Sequence, residues 1–193
     1  MKKDIILAGV GGQGILSIAA IIGTAAIDSD LHLKQAEVHG MSQRGGDVQS
    51  HLRYGDKPIK SDLIPTGGAD IILSVEPMEA LRYMPYLSEN GWLITNTKAY
   101  INIPNYPEYD ELMKEVKSLP KNIALDADQI AKDVGSPRSM NMVMLGAASS
   151  FLDLDYVKLE EGIKTIFGRK GEKIVNSNLE AMAAGRKFAE ENK

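Results

Sequence analysis

The chain has 193 residues, 44% of them hydrophobic and 25% charged, a balance that suits a folded protein with one proper core and excludes a disordered or membrane-embedded one. The net charge of -4 comes with no dense basic run, so nucleic acid is not an expected partner. There is no cysteine, which excludes disulfides, thiol nucleophiles and thiolate ligands for an iron–sulfur cluster on this chain.

Residues 4–8 form a short β-rich apolar run that meets the cluster Gly9-Val10-Gly11-Gly12-Gln13-Gly14 and continues into an apolar helical segment at 15–27. Glycines interrupt the apolar run almost at once, so neither a signal peptide nor a membrane span is predicted, and the chain reads as a cytoplasmic protein that starts with its first strand. The helix at 15–27 carries no charged residue, which predicts a cover on its outer side as well. A partner subunit or the C-terminal part of the same chain would supply it.

A second strand is predicted at 31–38, followed by the glycine loop from His39 to Gly46. Residues 47–54 alternate, with Val48, Ser50, Leu52 and Tyr54 on one face and Asp47, Gln49, His51 and Arg53 on the other, which predicts an antiparallel or edge strand with one wet face. Gly55 and Asp56 then turn the chain into a partner segment at 57–64, completing an inserted hairpin in which Pro58 disfavours a central place.

Further strands are predicted at 69–75, 92–96 and 123–127, and helices at 77–83, 128–134, 139–151, 156–167 and 174–190. Pro77 suits a first helical position, Asp155 an N-cap and Gly168 a stop. Alternation of strands and helices gives a single α/β domain over residues 1–193. The expected fold is a three-layer, Rossmann-like, mostly parallel sheet with a β-hairpin insertion and a helical C-terminus.

Gly9, Gly11 and Gly14 match the pattern G-x-G-x-x-G directly after a strand and at the start of a helix, where main-chain N–H groups can approach a pyrophosphate. The alternative is that these glycines permit close strand–helix packing with no nucleotide. Glu37 stands near the place of a ribose-binding acid but runs straight into the second glycine loop. In that loop Arg44 offers a bidentate donor for phosphate or carboxylate, with Ser42, Gln43 and the N–H groups of Gly40, Gly45 and Gly46 as neutral donors. Arg44 pairing with Glu37 or Asp47 on the surface is the plainer use. His39 is of a residue type that can serve as general acid or base near neutral pH, but with no identified partner a hydrogen-bonding structural role is its plainer use. His32 and His51 read as bystanders. Glu76 and Asn96 fall at strand ends, where such sheets bind ligands, with a helix cap or turn as the other use for each. Met140, Met142 and Met144 read as packing.

Gly9 to Gly14, Glu37-Val38-His39-Gly40-Met41-Ser42-Gln43-Arg44-Gly45-Gly46, Val48 to Gly55, Ala69 to Pro77 with Glu79-Ala80-Leu81-Arg82, and Asn178 to Gly185 together resemble the gamma domain of pyruvate and other 2-oxoacid:ferredoxin oxidoreductases. Within that family the loop sequence is most similar to the beta subunit of the indolepyruvate branch. The resemblance implies a small subunit with no catalytic residue or metal of its own, inactive alone, in a cytoplasmic hetero-oligomer of anaerobic metabolism. It implies that thiamine diphosphate, magnesium and 4Fe-4S clusters sit on a large alpha subunit, with coenzyme A as co-substrate and ferredoxin reached through the complex. The Gly-Asp-Gly and Asn-Asn pattern that holds thiamine diphosphate in that family does not occur in this sequence. A stand-alone NAD(P)- or flavin-binding oxidoreductase and a nucleotide-binding regulatory module remain the alternatives.

Overall fold

A computed structural model of the chain describes residues 1–39 and 45–193, with nothing stated of the His39 side chain. Strand β1 (Lys2–Val10) is buried from Asp4 onward, and α1 (Ile15–Ile27) follows across the glycine turn. Next come β2 (His32–His39), β3 (Asp47–Gly55), β4 (Ala69–Ser74), α2 (Pro77–Arg82) and β5 (Leu87–Asn96). Then follow α3 (Tyr109–Ser118), β6 (Asn122–Leu125), α4 (Ala127–Asp133), α5 (Met140–Ser149), α6 (Tyr156–Phe167) and α7 (Glu172–Asn192).

The strands form one six-stranded sheet in the order β2-β3-β1-β4-β5-β6. β1, β4, β5 and β6 pair in parallel, while β3 is antiparallel to both β1 and β2. β2 therefore runs in the sense of β1, and only β3 opposes the rest. Period-two side chains divide the core between two faces. Ile5, Leu7, Ile71 and Leu73 meet α1, α5, α6 and α7, and Ile6, Ala8, Ile72 and Leu93 meet α2 and α3. The expected three layers follow directly.

The inserted hairpin differs from the expectation. Its two strands are β2 and β3, and residues 57–64 form no strand. They lie instead over the face of β3 predicted to be wet. His51 is 4% exposed and Arg53 8%. Arg53 forms a forked pair with the fully buried Asp4, at 2.8 and 3.0 Å, and donates to the carbonyls of Ser61 and Leu63 at 3.0 and 2.7 Å. His51 Nδ1 accepts the Ile64 N–H at 3.0 Å, and its ring meets Tyr86 edge-on. A charged face can be buried when each charge finds a partner across the sheet, and Asp4 is that partner. β3 is accordingly an interior strand, and His51 is a structural residue.

The uncharged α1 is covered by the same chain. α6 packs along it so closely that a Cβ on Gly162 would stand 3.1 Å from the Ile21 carbonyl oxygen. α5 and α7 cross at a second close approach, where Gly146 and Gly185 let the two backbones touch.

Candidate functional site

The parallel strands end along one edge of the sheet, where α/β proteins of this type bind their ligands. The two glycine segments meet there. The Gly11 N–H donates to the Gly46 carbonyl at 2.9 Å, beside the Val10–Asp47 pair that closes the β1–β3 ladder. Of the second segment, Gly45 and Gly46 are described, His39 is placed by its backbone pairing with Val48, and Gly40, Met41, Ser42, Gln43 and Arg44 lie outside the described residues.

The glycine turn is filled from within. A side chain on Gly9 would come within 2.8 Å of Ile15 Cδ1 and nearer still to Val75, and one on Gly14 would meet Asn141 Nδ2 at 2.5 Å. Gly14 has φ +84, a conformation that glycine adopts without strain, and it opens α1. Gln13 Oε1 accepts the Val10 N–H at 2.7 Å, and its Nε2 donates to the Val75 carbonyl at 3.5 Å. The Gln13 N–H donates to the Val10 carbonyl at 3.1 Å. Gly12, with φ +102 and no atom within 4 Å of an added Cβ, is the open corner of the turn. The N–H groups of Val10, Gly11 and Gln13 are thus engaged inside the chain, and the geometry fits the packing use of these glycines.

Glu76, fully buried, follows β4 in extended backbone and caps α2 by accepting the Glu79 N–H at 2.8 Å. Its other oxygen accepts the Tyr100 N–H at 3.2 Å and a short hydrogen bond from the Tyr106 hydroxyl. Burial and the bond to Glu76 push the Tyr106 hydroxyl pKa far up. Asn96 ties three elements together: its Nδ2 donates to the Val75 carbonyl at 3.3 Å and to Asp128 at 2.9 Å, and its Oδ1 accepts the Ala127 N–H at 3.1 Å. Both residues serve as caps and cross-links at the strand ends.

Sequence reasoning missed the strap at residues 97–108, which crosses this edge. Asn102 Nδ2 donates to the Gly45 carbonyl at 2.6 Å, joining the strap to the glycine loop. Glu79, nearly fully buried, pairs with Arg82 at 2.8 Å; burial raises its carboxyl pKa, with Arg82 opposing. Tyr83 reaches Asp47 at 3.4 Å. At the start of the strap, a cleft of about 290 Å³ is lined by Thr97, Lys98, Tyr109, Asp126, Asp128 and Lys132, with Lys98 and Asp128 3.7 Å apart. Among the described residues no group of three His, Asp or Glu is placed to hold a metal, and no helix is long and apolar enough to cross a membrane.

Residues 4–188 match the family described as pyruvate ferredoxin/flavodoxin oxidoreductase. The chain belongs to this family. It is 38% identical to the indolepyruvate oxidoreductase subunit IorB of Archaeoglobus fulgidus, over 96% of this chain and 94% of that protein. It is 26% identical to the ketoisovalerate oxidoreductase subunit VorA of Methanothermobacter thermautotrophicus, over 96% of this chain but only 36% of that protein. Its fold superposes at a TM-score of 0.79 and 23% identity on the 2-oxoglutarate:ferredoxin oxidoreductase of Magnetococcus marinus solved with 2-oxoglutarate, coenzyme A and succinyl-CoA, covering all of this chain and 32% of that one. This member of the pyruvate ferredoxin/flavodoxin oxidoreductase family thus spans about a third of some relatives and nearly all of others. The two glycine segments quoted from the sequence lie inside the matched region.

Proposed function

We propose that this chain is the small, cofactor-free subunit of an indolepyruvate-type 2-oxoacid:ferredoxin oxidoreductase. It supports the coenzyme A-dependent oxidative decarboxylation of aryl pyruvates to aryl-acetyl-CoA, with reduction of ferredoxin, in the cytoplasm. The larger alpha subunit holds thiamine diphosphate with magnesium and the 4Fe-4S clusters, and thiamine supplies the carbanion chemistry. This chain supplies a rigid edge. The joined glycine segments, from Gly9 to Gly14 and from His39 to Gly46, face that subunit and help to close the pocket where coenzyme A or substrate meets thiamine. Arg44 pairs there with a phosphate or carboxylate, and Ser42 and Gln43 add neutral donors.

The observation that carries this reading is the hydrogen bond from Gly11 to Gly46, which brings two glycine segments of separate origin to one ligand-binding edge. The near full-length similarity to an indolepyruvate oxidoreductase subunit supports the branch, and the absence of cysteine in the sequence fits clusters carried elsewhere. The test is reconstitution. The chain co-produced with a large thiamine-binding subunit is expected to reduce ferredoxin with indolepyruvate and coenzyme A, whereas either chain alone is expected to be inactive. Tight binding of NAD(P) or flavin by the isolated chain, or turnover of a 2-oxoacid by it unaided, overturns the proposal.

A further inference from the structure

The strap at residues 97–108 completes a ring of hydrogen bonds along the ligand-binding edge. Glu76, fully buried just past the end of β4, holds the strap through the Tyr100 N–H at 3.2 Å and the Tyr106 hydroxyl. From the strap, Asn102 Nδ2 donates to the Gly45 carbonyl at 2.6 Å, and the next carbonyl, that of Gly46, accepts the Gly11 N–H at 2.9 Å. Gln13, in the same turn as Gly11, donates to the carbonyl of Val75, the neighbour of Glu76, at 3.5 Å and so closes the ring. Two successive carbonyls of the second glycine segment are thus held by different elements, one by the strap and one by the first glycine turn. Nothing lies within 4 Å of where a Cβ on Gly45 would stand, so hydrogen bonds rather than side-chain packing fix this residue.

Asn102 gains the fold little by this bond. Its Oδ1 is buried with no partner among the described residues, and an acceptor left unpaired away from water costs about as much as one neutral hydrogen bond returns. A buried amide that is only half satisfied needs a reason other than stability, and here the reason is what its satisfied end holds. We infer that Asn102 is a positioning residue: through Gly45 it sets the second glycine segment against the first, where this edge closes on the ligand of the enzyme. Glu76 stands behind it, since it fixes the strap from which Asn102 reaches. This rests on the functional reading above.

The experiment compares wild type with Asn102→Leu, which keeps the size of the side chain and removes both polar ends, Asn102→Gln, which keeps a donor, and Tyr106→Phe, which frees the strap from Glu76 and leaves the ring in place. Each full-length chain is studied by melting and by residue-resolved amide hydrogen exchange, and then in the complex with the large thiamine-binding subunit. Asn102→Leu is expected to melt at the wild-type temperature or above. Its Gly11 amide is nevertheless expected to exchange about tenfold faster, because the Gly46 carbonyl that covers it has been loosened. In the complex, its KM for coenzyme A or for indolepyruvate is expected to rise about tenfold with kcat changed by less than about twofold, the mark of lost binding rather than lost chemistry. Tyr106→Phe is expected to move the same readings in the same direction by less, and Asn102→Gln to return them toward wild type. If Asn102→Leu does not fold, Tyr106→Phe carries the test. A wild-type Gly11 exchange rate, wild-type KM values for both ligands, or a lowered melting temperature with exchange faster equally across the whole sheet overturns the inference and leaves the functional reading standing. An inactive wild-type complex overturns both.

Discussion

Replacing Gly185 by alanine sets two well-measured effects against each other. In the middle of α7, alanine gains about 1 kcal/mol over glycine from helix propensity alone. The new Cβ, however, would lie 2.7 Å from the Val143 carbonyl carbon and 2.9 Å from its Cα, and closer still to its oxygen. All three are backbone atoms of α5, so no rotamer change can clear them. Comfortable carbon–carbon contact needs roughly 3.5 Å or more, so α5 and α7 must part by about 1 Å, which forfeits up to about half of the dispersion well across the contact. Met142, Leu145, Ala181 and Met182, all fully buried, line that crossing. Overpacking of this kind costs about 1–3 kcal/mol and more where backbone must move. The net effect is a loss of about 2 kcal/mol, or a melting temperature lower by about 4–8 °C for a chain of this size. Thermal and urea unfolding of Gly185→Ala and Gly168→Ala make the comparison, since nothing lies within 4 Å of a Cβ on Gly168. A stability for Gly185→Ala equal to or above wild type refutes the reasoning. Gly146→Ala strikes the same crossing, so the double variant is expected to cost less than the two single losses combined.

Arg53→Ala leaves Asp4 buried with only the exposed Lys2 ammonium at 2.7 Å and takes the donors from two carbonyls, so a loss of about 3–5 kcal/mol is expected in urea unfolding. Burial, and next the Arg53 charge, hold the His51 pKa below 6.5, so between that lowered value and 6.5 the unfolded chain binds more protons than the folded one. Its contribution is therefore whole above pH 6.5 and lost as pH falls through the lowered value, when protonation also ends acceptance of the Ile64 N–H. The stability advantage of wild type over His51→Gln is expected to shrink from pH 7.5 to 5.5; comparing the two cancels the opposite trend of Glu79, whose raised pKa makes stability fall as pH rises above 4.5. Arg44→Ala is expected to lower coenzyme A-dependent turnover or subunit affinity by about 10–100-fold, as for loss of a charged hydrogen bond, and retention of both by the variant would exclude the proposed role.

Local pattern carried the parts of the fold that local physics decides. The strand–turn–helix start, the Glu76–Pro77 helix opening and the Asp155 cap, whose Oδ1 accepts the Val157 N–H at 3.0 Å, were all legible. Pairing across the chain was not. The alternation of β3 looked half wet because Arg53 is charged, but its partner Asp4 lies 49 residues away. Residues 57–64 looked like a strand because they are partly apolar, although their hydrogen bonds go to Arg53 and His51 side chains. β5 begins at Leu87, five residues ahead of the expected start at Trp92. Helix α3 was missed because no side chain caps its start and Pro104 and Pro107 precede it; its buried stripe is only Leu112, Met113 and Val116.

The candidate site divides along the same line. Its glycines are visible because their spacing is fixed by one tight turn, whereas the strap has no period and is recognised only through what it touches. The turn also shows why a dinucleotide pattern is weak evidence of a dinucleotide. Pyrophosphate recognition needs main-chain N–H groups free to turn toward the ligand. Here the Val10 N–H goes to Gln13, the Gly11 N–H to Gly46 and the Gln13 N–H back to Val10, so these three donors bind the second glycine segment and the turn itself. The same glycines that elsewhere admit a phosphate here admit Val75, Ile15 and Asn141. A glycine pattern specifies that something must come close to the backbone; what comes close is decided by residues far away in the sequence.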